Sequence, residues 1–169
     1  MKLTEVIKTL RDSLDTYLTA NLDNYSQTEE AYPFTVETYR LDSQEMEQTN
    51  RYGARVAIYD GGDNVSASIP GMAQFRGDRV QWGYPLSTMQ VIRFDLAFHI
   101  AERGQDGWNE MELVGLKDCV MEWVKGYGEV ALSQTDGGIS AFVYGSSNGV
   151  TRLRKYAYTT LTCYCIYNP

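Results

Sequence analysis

Between Gln90 and Ala101 the chain alternates two kinds of side chain. Ile92, Phe94, Leu96, Phe98 and Ile100 take every even position, while Arg93, Asp95 and His99 fall on odd ones. Side chains of a strand point to opposite faces in turn, so the pattern predicts a half-buried strand over 90–101. Its even face belongs in a core, where each large apolar side chain contributes roughly 1.5–3 kcal/mol. A strand this long and this apolar is expected in the middle of a sheet, and something must be laid over its even face.

The candidate cover follows directly. After a polar turn at 102–107 the period changes, with Leu113, Leu116, Val120, Trp123 and Val124 three and four apart. This stripe predicts a helix over 109–125. Asn109 is placed to cap it with Glu112 as the capping-box partner, and Gly126 and Gly128 are placed to stop it. A second helix is expected at 4–20, where Val6, Ile7, Leu10, Leu14, Tyr17 and Leu18 form the stripe. Thr4 is its expected cap and Asn21 its end. Lys8, Arg11, Asp12 and Asp15 face the other way, so this helix should lie on the surface of a sheet.

The remaining segments read mainly as strands. Pro33 opens one through Phe34, Val36, Thr38 and Leu41, and 54–60 is another, ended by Gly61 and Gly62. These two are expected to pair as an antiparallel hairpin. Residues 129–133 and 139–144 read as a hairpin around the glycine-rich 134–138, and 146–149 as a further turn. The closing strand, 155–167, alternates Tyr156, Tyr158, Thr160, Thr162, Tyr164 and Ile166 with Ala157, Leu161, Cys163 and Cys165. The order predicts one α+β domain over 1–169: an antiparallel or mixed sheet with two helices packed on one face. A long hairpin or loop insertion at 61–89 and an acidic loop at 42–50 are added to it.

Charge narrows the function. The net charge of −7 argues against a duplex-coating role, which needs cations against phosphates. The charge is also lopsided: residues 1–50 carry ten acids and four bases, residues 131–169 one acid and three bases. That asymmetry suits head-to-tail contact between copies, and equally a plain solvated face. Thirteen tyrosines are an unusual load, at home in strands and in interfaces alike. Cys119, Cys163 and Cys165 read as buried reduced thiols. The start lacks a signal-like apolar core and no run reaches membrane-spanning length, so an intracellular site of synthesis and no membrane partner are expected.

No catalytic constellation emerges. His99 is the single histidine, the glycine-rich turns lack the lysine and hydroxyl of a phosphate loop, and no nucleophile elbow occurs. Asp60 and Asp63 around Gly61 and Gly62 read as a turn rather than a cation site, so no catalytic residue, metal or cofactor is expected. Two groups point to contacts instead. Phe75, Arg76, Trp82 and Tyr84 stand out from a polar stretch, either meeting another subunit or tucking the insertion onto the domain. Arg76 also opens an Arg-Gly-Asp tripeptide, which short chance explains. Arg152, Arg154 and Lys155 form the compact basic cluster before the last strand, where Tyr156 and Tyr158 begin its aromatic face. They suit an acidic patch on a second subunit, or a solvated turn that guards a sheet edge.

The helix at 3–20, the strand at 89–101 leading into the helix at 109–127, and the closing strands at 139–144 and 155–167 resemble the tail-terminator, or tail-completion, proteins of long-tailed bacteriophages. The resemblance covers most of the chain and rests on element order, with no invariant motif. It implies a non-enzymatic virion protein at the tail–neck junction, made in the host cytoplasm. Six copies would join head to tail in a ring that closes the tail tube, touching tube protein on one side and neck or connector proteins on the other. Phage DNA would pass through the lumen, with acidic residues there repelling its phosphates. A head-closure adaptor of the same virion, a small enzyme and a monomeric binding module are the competing classes, separated by which end binds tube, by a polar pocket and by mass.

Overall fold

The computed structural model describes residues 1–26, 32–40, 53–62, 88–100, 110–134, 138–153 and 155–167. Helix α1 (Leu3–Asn21) runs into a 3-10 turn at Leu22–Tyr25; strands β1 (Phe34–Glu37), β2 (Ala54–Asp60) and β3 (Thr88–His99) follow. Helix α2 (Glu110–Gln134) leads to β4 (Ile139–Ser147), β5 (Thr151–Arg152) and β6 (Tyr156–Tyr167). The strands make one six-stranded mixed sheet in the order β1-β2-β3-β6-β4, with β5 also on β6. The class is α+β, with both helices packed against the sheet.

The long alternating strand lies mid-sheet, between β2 and β6. Ile92, Phe94, Leu96 and Phe98 are fully buried on its even face. Over them α1 lays Val6, Leu10, Leu14 and Leu18, and α2 lays Leu113, Leu116, Val120 and Trp123. Phe94, Phe142, Trp123 and Tyr127 meet with ring centroids 5.5–6.2 Å apart, mostly edge to face, an arrangement that adds quadrupole attraction to area burial. Cys163 and Cys165 share this face, as their spacing predicts, and burial pushes the Cys165 thiol up to about 12.

Four expectations are corrected. β1 and β2 pair in parallel, Phe34 opposite Ala54 and Glu37 opposite Ala57, not as an antiparallel hairpin. The chain between them is long enough to cross back, and the Arg55 guanidinium clasps both Glu37 carboxylate oxygens at 2.7 and 2.8 Å. Gly126 and Gly128 do not stop α2, which continues to Gln134 and converts the expected strand at 129–133 into helix. A Cβ on Gly128 would stand 2.3 Å from the Phe142 carbonyl oxygen, and one on Gly115 2.3 Å from that of Tyr25. Glycine is therefore needed at both positions for close approach rather than for termination. α1 starts at Leu3, so Thr4 is not its cap; the Glu5 carboxylate accepts the Lys2 backbone N–H at 2.6 Å instead. Finally, β4 extends through Ser147, displacing the turn expected at 146–149. Asn109, the 42–50 loop and the 61–89 insertion beyond Gly62 and before Thr88 lie outside the described residues.

Candidate interaction surfaces

The sheet has a second face, and among the described residues no helix covers it. The alternation of β6 sends Tyr158, Thr160, Thr162 and Tyr164 there, all half-buried, and the register sets Tyr158 beside Ala97, Thr160 beside Asp95 and Thr162 beside Arg93. Ala57 and Ala97 make a small apolar patch against which Tyr158 packs. Small residues at these two sites leave room for the aromatic ring against the strands.

Asp95 is the anomaly of this face, a carboxylate only 8% exposed. It accepts the Tyr59 hydroxyl at 3.0 Å across the β2–β3 pair. Burial raises its pKa, opposed by that hydrogen bond and by Arg40 and Arg93. Burial likewise raises Tyr59, with the Asp95 charge adding to it. His99 is lowered, first by desolvation and then by Lys155. A carboxylate, a phenol and two guanidinium groups in one patch make a polar surface with fixed partners, able to recognise a neighbour by geometry.

Of the residues singled out in the sequence, Phe75, Arg76, Trp82, Tyr84 and Arg154 lie outside the described residues. Arg152 is on β5 and donates to Glu110 at the start of α2, 2.8 Å away, both side chains being about two-fifths exposed. Lys155 is exposed in the turn before β6, and the Ile100 N–H donates to its carbonyl at 3.0 Å. Tyr156 is buried within a single copy and leaves little surface to offer, whereas its ring neighbour Tyr158, 6.2 Å away, is half-buried. The structure thus joins Tyr158 to the helix-free face, with Lys155 close enough to His99 on that face to lower its pKa, while Arg152 turns to the start of α2.

A third feature escaped the sequence. α1 and α2 lie against each other with a groove of about 650 Å³ between them, lined by Asp12, Ser13, Tyr17, Trp123, Gly126 and Val130 among others. The Trp123 indole N–H donates to the Ser13 hydroxyl at 3.0 Å across the groove floor. Thr16 donates to the Asp12 carbonyl and Asn21 to that of Tyr17, both at 2.9 Å. These polar side chains bond within and between the two helices. Among the described residues no group of three histidine, cysteine or acidic side chains comes together as a metal site, and no helix is long and apolar enough to cross a membrane.

No protein-family model matches the chain, and no curated protein does.

Proposed function

We propose that the chain is a structural subunit of a long-tailed bacteriophage, one that closes the tail tube as a hexameric ring and joins it to the neck. The observation that carries this reading is the one-sided construction of the sheet. α1 and α2 complete a core on one face, while the other presents tyrosine, threonine and a carboxylate hydrogen-bonded to a phenol that no described helix covers. A surface mixing aromatic rings with hydroxyls and a paired carboxylate is the composition of a protein–protein contact. The element order, helix, three strands, helix, then the closing strands, agrees with the resemblance to tail terminators.

On this reading the work is mechanical. Each subunit offers two unlike surfaces, so association runs head to tail and closes when the rotation per step divides a full turn. The acidic balance keeps the passing DNA from sticking. Mass measurement over a concentration series, with negative-stain imaging alone and with tail tubes added, tests it. Rings seated on tube ends are the expected result; a monomer that ignores tubes under all conditions would overturn it.

A further inference from the structure

Gly126 is an oddity among the helical glycines. Gly115 and Gly128 are pressed against backbone carbonyls, but a Cβ on Gly126 would meet nothing within 4 Å. An exposed glycine inside a helix costs about 1 kcal/mol relative to alanine, and among the described residues no contact accounts for it. Gly126 lines the groove between α1 and α2, beside Trp123 and Val130, the latter 44% exposed. The bare backbone leaves room for something from outside to lie against aromatic rings.

The rim identifies the chemistry of the occupant. Asp12 lines the α1 side but is paired with Arg11 at 2.9 Å, so the acidic side of the rim is α2. On α2, Glu122 and Glu129 are exposed on the same stripe as Gly126, one turn before it and one after, while Lys125 lies a step round the helix. The groove therefore takes an apolar tip carried between cations. The chain itself displays such a tip at the β5–β6 corner. Leu153 is 41% exposed, follows Arg152 and precedes Lys155 by two residues. The corner is held in shape by the Leu153 N–H donating to the Tyr156 carbonyl at 2.8 Å, and by Arg152 on Glu110.

Tip and groove stand at opposite ends of α2. Arg152 meets its first residue, Glu110, whereas Gly126 lies about 24 Å along at the rise of an α-helix. One molecule cannot satisfy itself, but a file of molecules can.

We infer that Leu153 of one copy seats in the Gly126–Trp123 groove of the next, with Arg152 and Lys155 facing Glu122 and Glu129 of that neighbour. This contact rests on the head-to-tail ring reading and supplies the interface between ring subunits.

Introduced cysteines test it, because Cys119, Cys163 and Cys165 are all buried and leave the new thiols as the reactive ones. Leu153→Cys and Gly126→Cys chains, each checked for unchanged unfolding, are mixed at high concentration and oxidised. The expected product is a disulfide-linked heterodimer from the mixture in excess over either homodimer, and a ladder from a chain carrying both changes. Leu153→Glu should lower the self-association constant by about tenfold or more. Rings seen by imaging without 153–126 cross-links, or with Leu153→Glu assembling normally, overturn the contact and leave the ring reading standing. Neither rings nor cross-links at any concentration, with tubes or without, overturns both.

Discussion

The two faces of β3 are drawn from one run of residues, yet they do different work. On the helix-covered side Ile92, Phe94, Leu96 and Phe98 are fully buried within the apolar core. On the other side Arg93 is exposed, Asp95 is buried against Tyr59, and His99 is half-buried near Lys155. The first face gains from area alone and tolerates reshuffling that keeps volume constant. The second gains little from area and depends on the identity and position of each polar partner. Packing area is concentrated on one face, and specific polar pairing on the other.

The contrast is broken most strongly from the covered side. Phe94→Ala should destabilise the chain by about 3–5 kcal/mol, read as a shifted denaturant midpoint at constant slope. A loss under about 1 kcal/mol would mean that the core is not organised around this strand. Gly128→Ala should cost roughly 1–3 kcal/mol by driving a methyl group into the Phe142 carbonyl, whereas Gly126→Ala should gain up to about 1 kcal/mol. Equal effects at the two glycines in a thermal-unfolding comparison would dissolve the distinction between close packing and open groove.

Acidity sharpens the contrast from the other side. Because His99 is held below its ordinary 6.5, the unfolded chain takes up this proton more readily than the folded one. Stability should therefore fall as pH drops through 6.5 towards the folded value, and His99→Gln should flatten that slope. Asp95 acts in the opposite sense. Raised above 3.8, it keeps its proton longer when folded, so stability is lost as pH rises through the window just above 3.8, and Asp95→Asn removes that loss. Unfolding titrations over a pH series measure both, and slopes unchanged by both substitutions would contradict the placement of these groups. The smallest effect is expected for Thr160→Ala, within about 0.5 kcal/mol in unfolding, at a half-buried position on the helix-free face.

Much of the covered face was legible because periodicity encodes faces. Of the stripe Val6, Ile7, Leu10, Leu14, Tyr17 and Leu18, Ile7 and Tyr17 are half-buried against the core and the other four lie wholly in it, and β2 has the bounds its pattern predicts. Periodicity says nothing about the direction of a strand's partner, which is why the parallel β1–β2 pair could not be read from Phe34 and Val36. The run at 129–133 is too short to tell helix from strand, and tertiary packing decided it by lengthening α2 past two glycines. On the candidate surfaces, the tyrosines and threonines of β6 announced their face by alternation. The groove gave no such signal, since Ser13 and Trp123 are far apart in sequence and each looks ordinary on its own helix. Leu153 was similarly easy to pass over as one apolar residue in a turn.

The central pair of strands carries a further consequence. Thr88 is aligned with Tyr167 and His99 with Tyr156, so β3 finds its main neighbour only among residues far downstream. Joining such distant segments requires closing a large loop before any reward is collected, and chains of this kind fold slowly compared with those built on local contacts. On a ribosome, β3 emerges long before β6 does, its row of aliphatic and phenyl groups exposed in the meantime. Translation speed and chaperone supply should therefore govern the yield of folded chain more than any rim residue does.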